Sequence, residues 1–125
     1  VYAAPFDVRL PEGKENDADI ISVVQPDISI ICDSKKLDDR GCRGGPDLVV
    51  EIISKSTLSK DIKEKFKLYE KHGIKEYWIV YPRERVVEIY SLKRKEYGKP
   101  LMYTFDDEIC GKLFKDMLVT LKEID

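Results

Sequence analysis

The clearest hydrophobic pattern lies in the middle of the chain, where two apolar runs flank an amphipathic segment. Leu48–Ser54 is nearly all apolar, which is typical of a strand covered on both faces. Ser56 or Thr57 can cap the segment that follows, which predicts a helix to His72 with a glycine as its C-terminal stop. Tyr77–Tyr81 is a second apolar run and predicts another buried strand. Because strand, helix and strand follow in this order, we expect a βαβ unit with parallel strands.

Apolar runs on both sides of this unit predict further strands. The predicted strands are Val1–Leu10, Ile20–Cys32 with an interruption at Pro26, Val86–Leu92 antiparallel to the strand before it, and Leu101–Phe105. Leu113–Ile124 fits either a strand or a final amphipathic helix. Asp33–Pro46, with its charges and three glycines, predicts a long mobile loop. These elements indicate an α/β fold with a mixed central sheet.

The length of 125 residues and the 42% share of hydrophobic residues predict a single domain, residues 1–125, around one core. The chain begins at Val1 inside a predicted strand, without a methionine, so we expect further residues upstream. Three cysteines at irregular spacing fit neither a disulfide framework nor a zinc site, which favours reduced thiols in a cytoplasmic protein. No apolar run approaches the ~18 residues of a membrane span, and no signal peptide is visible, so we expect no membrane partner.

The charges of the chain bear on its possible partners. Charged residues make up 37% of the chain, and 22 basic and 24 acidic residues leave a net charge of −2, so an overall basic field for nucleic acid is absent. Contacts with phosphates would need a local patch, and the predicted loop carries Lys35, Lys36, Arg40 and Arg43 among its glycines. These cations could form a mobile flap that contacts a nucleic-acid backbone. Ordinary solvation of a loop is the alternative interpretation.

One lysine of the predicted helix lies where an apolar residue is expected. With about 100° per residue, the apolar side chains of this segment share one arc, and Lys65 falls near the middle of it. The other lysines of the segment fall outside the arc. A lysine on a core-facing stripe is rare unless it snorkels or has a partner. One interpretation is a snorkelling lysine paired with Asp61, four residues earlier, and the other is a lysine aimed at an acidic site on the sheet.

Two carboxylates can supply such an acidic site. Glu51 interrupts the apolar run 48–54, and Asp27 follows Pro26 at the start of another apolar run. A carboxylate buried there needs a compensating charge or a metal, because burying it alone costs several kcal/mol. If the two strands are neighbours, Asp27 and Glu51 can converge on one divalent cation, and hard cations such as Mg²⁺ take oxygen ligands of this kind. A salt bridge or a loop cap is the alternative role for each carboxylate.

Longer motifs along the chain resemble a known family. The chain contains, in this order, VQPDISIICD, GGPDLVVEIISKST, the residues Asp61, Lys65 and Tyr69, and GIKEYWIVYP. These motifs closely resemble the Uma-type family of putative restriction-endonuclease-like proteins, which belongs to the PD-(D/E)xK nuclease superfamily. The resemblance covers essentially the whole chain and implies a restriction-endonuclease-like core. It also implies that Asp27 and Glu51 bind a metal ion, Mg²⁺ or Mn²⁺.

The resemblance also implies where the catalytic lysine lies. The usual lysine of the superfamily follows its acidic residue by two positions, and Ile53 occupies that position here. The Uma-type pattern places a lysine on the following helix instead, and Lys65 fits it, in agreement with the helical pattern. The implied catalytic residues are therefore Asp27, Glu51 and Lys65. Lesser candidates are Asp47, separated from Glu51 by roughly 13 Å along the strand, Asp61 and Tyr69. Family members usually begin with a helical region that often adds an acidic residue, and we expect that this region is missing here.

The residues and the resemblance together predict an endonuclease that hydrolyses phosphodiester bonds of nucleic acid, DNA in the first place, with Mg²⁺ or Mn²⁺. The metal would polarise the phosphoryl oxygen and lower the pKa of a bound water. Lys65 would orient that water or stabilise charge in the transition state. We also consider a homodimer. Two rival interpretations stay open: a nuclease-like domain that binds nucleic acid or a partner without cutting, and an interaction domain in which Glu51 and Lys65 form a plain buried ion pair.

Overall fold

Two β-sheets and one α-helix make up the part of the chain that the computed structural model describes, residues 1–57 and 59–106. In chain order the strands are β1 (Tyr2–Ala3), β2 (Val8–Leu10), β3 (Ser22–Val24), β4 (Ile28–Ile30), β5 (Leu37–Asp38), β6 (Gly41–Arg43), β7 (Leu48–Ile52), β8 (Glu76–Tyr81), β9 (Val86–Lys93), β10 (Glu96–Tyr97) and β11 (Leu101–Thr104). The helix α1 is Ser59–Lys71, and short 3-10 turns lie at Asp17–Asp19 and Ser34–Lys36.

The larger sheet is built around a parallel pair of strands, β7 and β8. Their residues pair consecutively, from Leu48 with Glu76 to Ile52 with Val80. Because α1 connects these two strands, the predicted βαβ unit is confirmed. On one side β4 and then β1 add antiparallel, and on the other side β9 adds antiparallel and pairs with both β10 and β11. The sheet is therefore mixed, as predicted.

The side chains of β7 alternate between two apolar clusters on opposite faces of the larger sheet. Val50 belongs to one cluster. Val49 belongs to the other, together with Tyr77 of β8 and Tyr69 of α1. Val49 and Val50 are both almost fully buried, and each such side chain stabilises the fold by about 1.5–3 kcal/mol. The helix therefore covers the face to which the odd-numbered residues of β7 point, and Glu51 is one of them.

The C-terminal end of α1 is formed at Gly73, as the sequence predicts. Gly73 has a φ of +72°, in the left-handed region that favours glycine. Its N–H donates to the carbonyl of Glu70 at 3.2 Å, and the N–H of Ile74 donates to the carbonyl of Tyr69 at 3.1 Å. These two bonds are the pair found in the Schellman motif. They turn the chain back toward β8 directly after the helix.

The smaller sheet has the strand order β3-β2-β6-β5 and is tied together by a buried arginine. Arg9 of β2 is 5% exposed and forms ion pairs with Asp17 and Asp38. Arg43 of β6 also pairs with Asp17, at 2.6 Å. A buried charge is strongly destabilising when it lacks a partner. This network therefore holds the 3-10 turn at Asp17–Asp19 and the edge strand β5 against the sheet.

Two strand predictions are wrong in extent. Val1–Leu10 is two strands, β1 and β2, which lie in different sheets. The predicted interruption of Ile20–Cys32 at Pro26 is confirmed, but the two parts are β3 of the smaller sheet and β4 of the larger one. A proline separates the strands in each case, because Pro5 and Pro26 lack the amide hydrogen that a continuous ladder requires.

The predicted loop Asp33–Pro46 instead contains a 3-10 turn and the strands β5 and β6. Gly41 makes this hairpin possible: its φ is +125°, and a Cβ atom there would overlap the carbonyl oxygen of Asp7. The next residue, Cys42, is fully buried, and its N–H donates to that same carbonyl at 2.8 Å. The charges and glycines of this segment suggest a loop by composition, but Gly41 is needed because the backbone of Asp7 packs directly against it.

The last predicted element, Leu113–Ile124, lies outside the described residues. Within residues 1–57 and 59–106, no helix has the length and apolar character needed to cross a membrane.

Candidate active site

Asp27 and Glu51 occupy opposite positions on neighbouring antiparallel strands. Ile28 of β4 pairs with Val50 of β7, and one step further along this register Asp27 stands opposite Glu51. Directly opposed residues point to the same face of a sheet, with Cβ atoms about 4.5–5.5 Å apart. Oδ2 of Asp27 accepts a hydrogen bond from the N–H of Ile52 at 2.6 Å. This bond fixes the Asp27 carboxylate against β7, beside Glu51.

Two side chains of α1 hold the Glu51 carboxylate from above the sheet. Nζ of Lys65 donates to Oε2 at 3.1 Å, and the hydroxyl of Tyr69 donates to Oε1 at 2.8 Å. Residues four apart lie one above the other on a helix, so the two donors approach together, one for each oxygen. Glu51 is only 6% exposed, whereas the side chain of Lys65 is 36% exposed. Lys65 therefore pairs with the sheet, and the alternative pairing with Asp61 is wrong.

Burial controls the protonation of this cluster. Desolvation raises the pKa of Glu51, and the nearby charge of Asp27 raises it further. The charge of Lys65 and the hydrogen bonds from Tyr69 and Lys65 act in the opposite direction. The pKa of Tyr69 is raised too, first by burial and then by the charge of Glu51. The Tyr69 hydroxyl consequently keeps its proton and remains a donor. A cation next to Glu51 would favour its ionised form.

The two carboxylates open into a pocket of about 270 Å³ beside the N-terminal half of α1. Its wall contains Asp27, Glu51 and Lys65, the residues predicted to be catalytic, and also Asp61. Asp61 is exposed, and its carboxylate has neither an ion pair nor a hydrogen bond with any other described residue. The structure thus brings all three predicted catalytic residues to one pocket. Tyr69 stands behind them and contacts the pocket only through Glu51.

The pocket wall also contains Gln25, Thr57 and Tyr77, which the sequence did not indicate as site residues. Tyr77 pairs with Val49, so it points to the same face as Glu51. The run Tyr77–Tyr81 is apolar throughout, so the sequence does not tell which of its side chains lie on the face under the helix. Gln25 lies two residues before Asp27, and its place in the motif next to Pro26 is the signal in the sequence that could have indicated it.

Asp47, a lesser candidate, lies at the other end of β7 and does not line the pocket. Its Oδ2 accepts from the N–H of Cys32 at 2.7 Å, and its Oδ1 lies 3.7 Å from Nζ of Lys75. Its own N–H and carbonyl bond to Ile30 and Glu76. The hydrogen bond from Cys32 lowers the pKa of Asp47. Asp47 therefore links β4, β7 and β8 at the end of the sheet opposite the pocket.

The four cations predicted to contact nucleic acid do not line the pocket. Lys36 donates to a backbone carbonyl at 2.9 Å. Arg43 is committed to its ion pair with Asp17. Lys35 and Arg40 are exposed at the surface of the smaller sheet. The predicted basic patch therefore lies apart from the carboxylates, and two of its members already have partners.

The fold described above agrees with the comparisons with known proteins. Residues 3–120 match the model of the Uma2 family, described as putative restriction endonuclease. The chain belongs to this family. A solved structure similar to this Uma2 member is the crystal structure of a putative nuclease belonging to DUF820 from Anabaena variabilis ATCC 29413, with 20% sequence identity and a TM-score of 0.52. The match covers 66% of this chain and 47% of that one, so the chain spans about half the length of this relative. The likeness confirms the predicted fold. No curated protein sequence matches the chain.

The pocket of this Uma2 family member fits a hard divalent cation. Asp27 and Glu51 offer carboxylate oxygens from two neighbouring strands, and Mg²⁺ is typically held by one or two carboxylates while it keeps several waters. The pocket volume of about 270 Å³ leaves room for those waters. No group of three or more His, Cys, Asp or Glu ligands forms within the two described ranges, so water and substrate would complete the coordination shell.

Proposed function

We propose that the protein is an endonuclease that hydrolyses phosphodiester bonds of nucleic acid, with DNA as the first substrate to test and Mg²⁺ or Mn²⁺ as cofactor. The observation that carries the proposal is an imbalance of charge in the pocket. Asp27 and Glu51 stand opposite each other, but Lys65 is the cation that pairs with Glu51, and Asp27 has no ion pair among the described residues. A site with more carboxylates than cations attracts a further cation.

Asp27 and Glu51 would hold the metal ion, which when bound supplies a Lewis acid for the phosphoryl oxygen and lowers the pKa of a bound water. The Asp27 carboxylate is oriented for this task by the N–H of Ile52. Each oxygen of Glu51 has its own donor on α1. These hydrogen bonds keep both carboxylates in place before any ligand arrives, so little reorganisation is needed.

Lys65 and Tyr69 have different parts in this proposal. The ammonium of Lys65 lines the pocket and is partly exposed, so it can stabilise the negative charge that builds on the phosphate. Tyr69 is buried and touches Glu51 from the core side. It is a positioning residue, because it orients Glu51 without reaching the substrate.

A second candidate function is a nuclease-like domain that binds nucleic acid or a partner without cutting. The net charge of −2 favours its partner-binding form, since a general basic field for nucleic acid is missing. So does the direct pairing of Lys65 with Glu51 at 3.1 Å, which in an interaction domain would be a structural ion pair. A cytoplasmic location and a homodimer stay predictions.

A cleavage assay on mixed DNA and RNA substrates, with Mg²⁺ or Mn²⁺ added, tests the proposal. Asp27→Asn and Glu51→Gln preserve shape and remove charge, so each should abolish metal-dependent cleavage. Glu88→Gln is the matched control, because Glu88 is also a carboxylate on the larger sheet that accepts from a tyrosine hydroxyl, at 3.2 Å, and it does not line the pocket. Cleavage that survives in Glu51→Gln, or a wild-type protein that cuts nothing with either ion, rejects the proposal.

A further inference from the structure

The carboxylate pocket continues into a second cleft at the C-terminal ends of β7 and β8. This cleft has a volume of about 430 Å³ and shares Ile53 and Ser54 with the wall of the carboxylate pocket. Lys55 and Arg83 also line the second cleft. A polymer that lies in the carboxylate pocket can therefore extend into the second cleft along one continuous surface.

Lys55 and Arg83 follow neighbouring parallel strands at equivalent positions. Ile52 pairs with Val80, and the N–H of Ile53 donates to the carbonyl of Val80 at 2.9 Å, so the ladder continues past the end of β7. Lys55 lies three residues after Ile52, and Arg83 lies three residues after Val80. Both residues therefore follow the same end of the parallel pair, and both line the second cleft.

The second cleft contains two positively charged side chains that are available to bind an anion. The side chains of Lys55 and Arg83 are exposed, and neither has an ion pair or hydrogen bond with the rest of the described chain. Glu84 is the acidic residue of its wall, so two cations and one carboxylate leave the cleft net positive. The hydroxyl of Ser54 on the shared wall lies 2.9 Å from that of Ser56. Lysine, arginine and serine are among the side chains that contact phosphates of nucleic acids.

The basic patch predicted from the sequence, Lys35, Lys36, Arg40 and Arg43, lies too far from the carboxylate pocket to contact the same phosphates. Gly45, at the end of the segment that carries the patch, packs against Ile74, since a Cβ atom added there would lie 3.2 Å from Cγ1 of that residue. Ile74 follows the C-terminal end of α1, whereas the carboxylate pocket lies beside its N-terminal half. The patch is therefore at the far end of the helix from the site.

We propose that Lys55 and Arg83 form a phosphate-binding cleft, which holds the backbone of a nucleic acid next to the carboxylate pocket. The inference rests on the proposed function, since it assigns a contact to the same substrate. The cleft would recognise the phosphate charge rather than the bases, because its two cations, Lys55 and Arg83, can pair with phosphate oxygens, which carry no sequence information. Binding through it should therefore depend on salt and little on sequence.

The test is DNA binding without cleavage, measured by fluorescence anisotropy in EDTA over a series of salt concentrations. The double variant Lys55→Gln/Arg83→Gln removes two contacts, so the slope of log K against log salt should fall by about 1.8 for duplex or about 1.4 for single-stranded DNA. Lys35→Gln/Arg40→Gln is the matched control, with the same residue types, exposure and change of charge. Its slope should equal that of the wild type.

An equal fall in both double variants, no fall in Lys55→Gln/Arg83→Gln, or a wild type without salt-dependent binding overturns the cleft. Melting temperatures should be unchanged, since the exposed side chains of Lys55 and Arg83 form no ion pair or hydrogen bond with the described residues. Cleavage with Mg²⁺, measured separately, keeps the two proposals distinct. If Lys55→Gln/Arg83→Gln alone loses binding and the wild type does not cleave, the nuclease is rejected and the phosphate-binding cleft is supported. If the wild type cleaves and Lys55→Gln/Arg83→Gln binds as the wild type does, the nuclease is supported and the cleft is rejected.

Discussion

The hydroxyl of Tyr69 donates a hydrogen bond to Oε1 of Glu51 across 2.8 Å, and both side chains are almost completely buried. The tyrosine belongs to α1 and the glutamate to β7, so this bond joins the helix to the sheet at the site. A buried acceptor that loses its donor keeps its desolvation penalty, about 1–3 kcal/mol and more for a charged group. The position of Glu51 therefore depends on how the helix packs.

Tyr69→Phe should weaken metal binding without removing a metal ligand. The phenyl ring can keep the edge contact with Tyr77, whose ring centre lies 5.0 Å away, while Glu51 loses the donor to one oxygen. Loss of a partner that orients a metal ligand typically lowers metal affinity about 10–100-fold. Titration calorimetry with Mn²⁺ measures this directly and does not require catalytic activity.

Tyr97→Phe is the control for this experiment. Tyr97 belongs to the same apolar cluster, and its buried hydroxyl donates to the carbonyl of Ile74 at 2.6 Å. The control should lose stability, because that carbonyl loses its donor, but it should bind Mn²⁺ as the wild type does. Equal Mn²⁺ affinities for Tyr69→Phe and Tyr97→Phe would show that Tyr69 has only a structural role.

Lys65→Met separates a nuclease from a structural ion pair. The variant keeps the apolar stem and removes the charge, and methionine suits a half-buried position. In a nuclease, cleavage should fall about 10²-fold, the scale of one lost electrostatic contact with the transition state. Retained cleavage would contradict the catalytic role of Lys65. If the pair is structural, the main effect is on the free energy of unfolding, below the about 3–5 kcal/mol of a fully buried pair because Lys65 is partly exposed.

The stability of Lys65→Met should depend on pH in a defined direction. Burial already raises the pKa of Glu51, and loss of the lysine raises it further. A carboxyl group whose pKa is higher in the folded state destabilises that state above its folded pKa, and the effect vanishes as the pH falls to the unfolded value of about 4.3. Urea unfolding should therefore show a larger deficit at about pH 7 than at about pH 4.5. A deficit that does not vary with pH would mean that ionised Glu51 is not its cause.

Asp47→Ala should affect stability and leave the metal site intact. The hydrogen bond from the N–H of Cys32 lowers the pKa of Asp47, so its stabilisation is present above the ordinary value of about 3.9 and is lost as the pH falls through the lower folded value. Removal of this acceptor should cost about 1–3 kcal/mol near neutral pH, as measured by urea unfolding. Asp39→Ala, at an exposed carboxylate without a partner among the described residues, should cost little. Loss of Mn²⁺ binding in Asp47→Ala would instead place Asp47 in the metal site.

Gly41→Ala should open the segment that the sequence suggests is a loop. The residue combines a φ of +125° with close approach to the carbonyl of Asp7, so alanine should cost at least about 1–3 kcal/mol. Gly13→Ala is the control, since nothing lies within 4 Å of its added Cβ atom. Limited proteolysis should then cut residues 33–46 faster in Gly41→Ala than in the wild type. Equal cutting in the wild type and both variants would show that this hairpin does not protect the segment.

The central part of the fold could be predicted because its signals are local. The apolar run at β7, the helical arc of α1 and the stop at Gly73 each depend on neighbours within a few residues, and each is confirmed. Lys65 is visible for the same reason, as a charge out of place in a periodic pattern. The sequence thereby indicated that this lysine needs an acidic partner, and it offered Asp61 and a carboxylate on the sheet as alternatives. The local pattern could not choose between them.

The tertiary structure decided what depends on pairing between distant segments. Periodicity does not show which strands are neighbours, so the assignment of β1 and β2, and of β3 and β4, to different sheets appears only once the two sheets exist. The site depends on the same information. Asp27 faces Glu51 because Ile28 pairs with Val50, and a slip of one residue would turn Asp27 to the other face. Strand register is set by contacts between residues far apart in the chain, and these form only when the whole apolar face is buried at once.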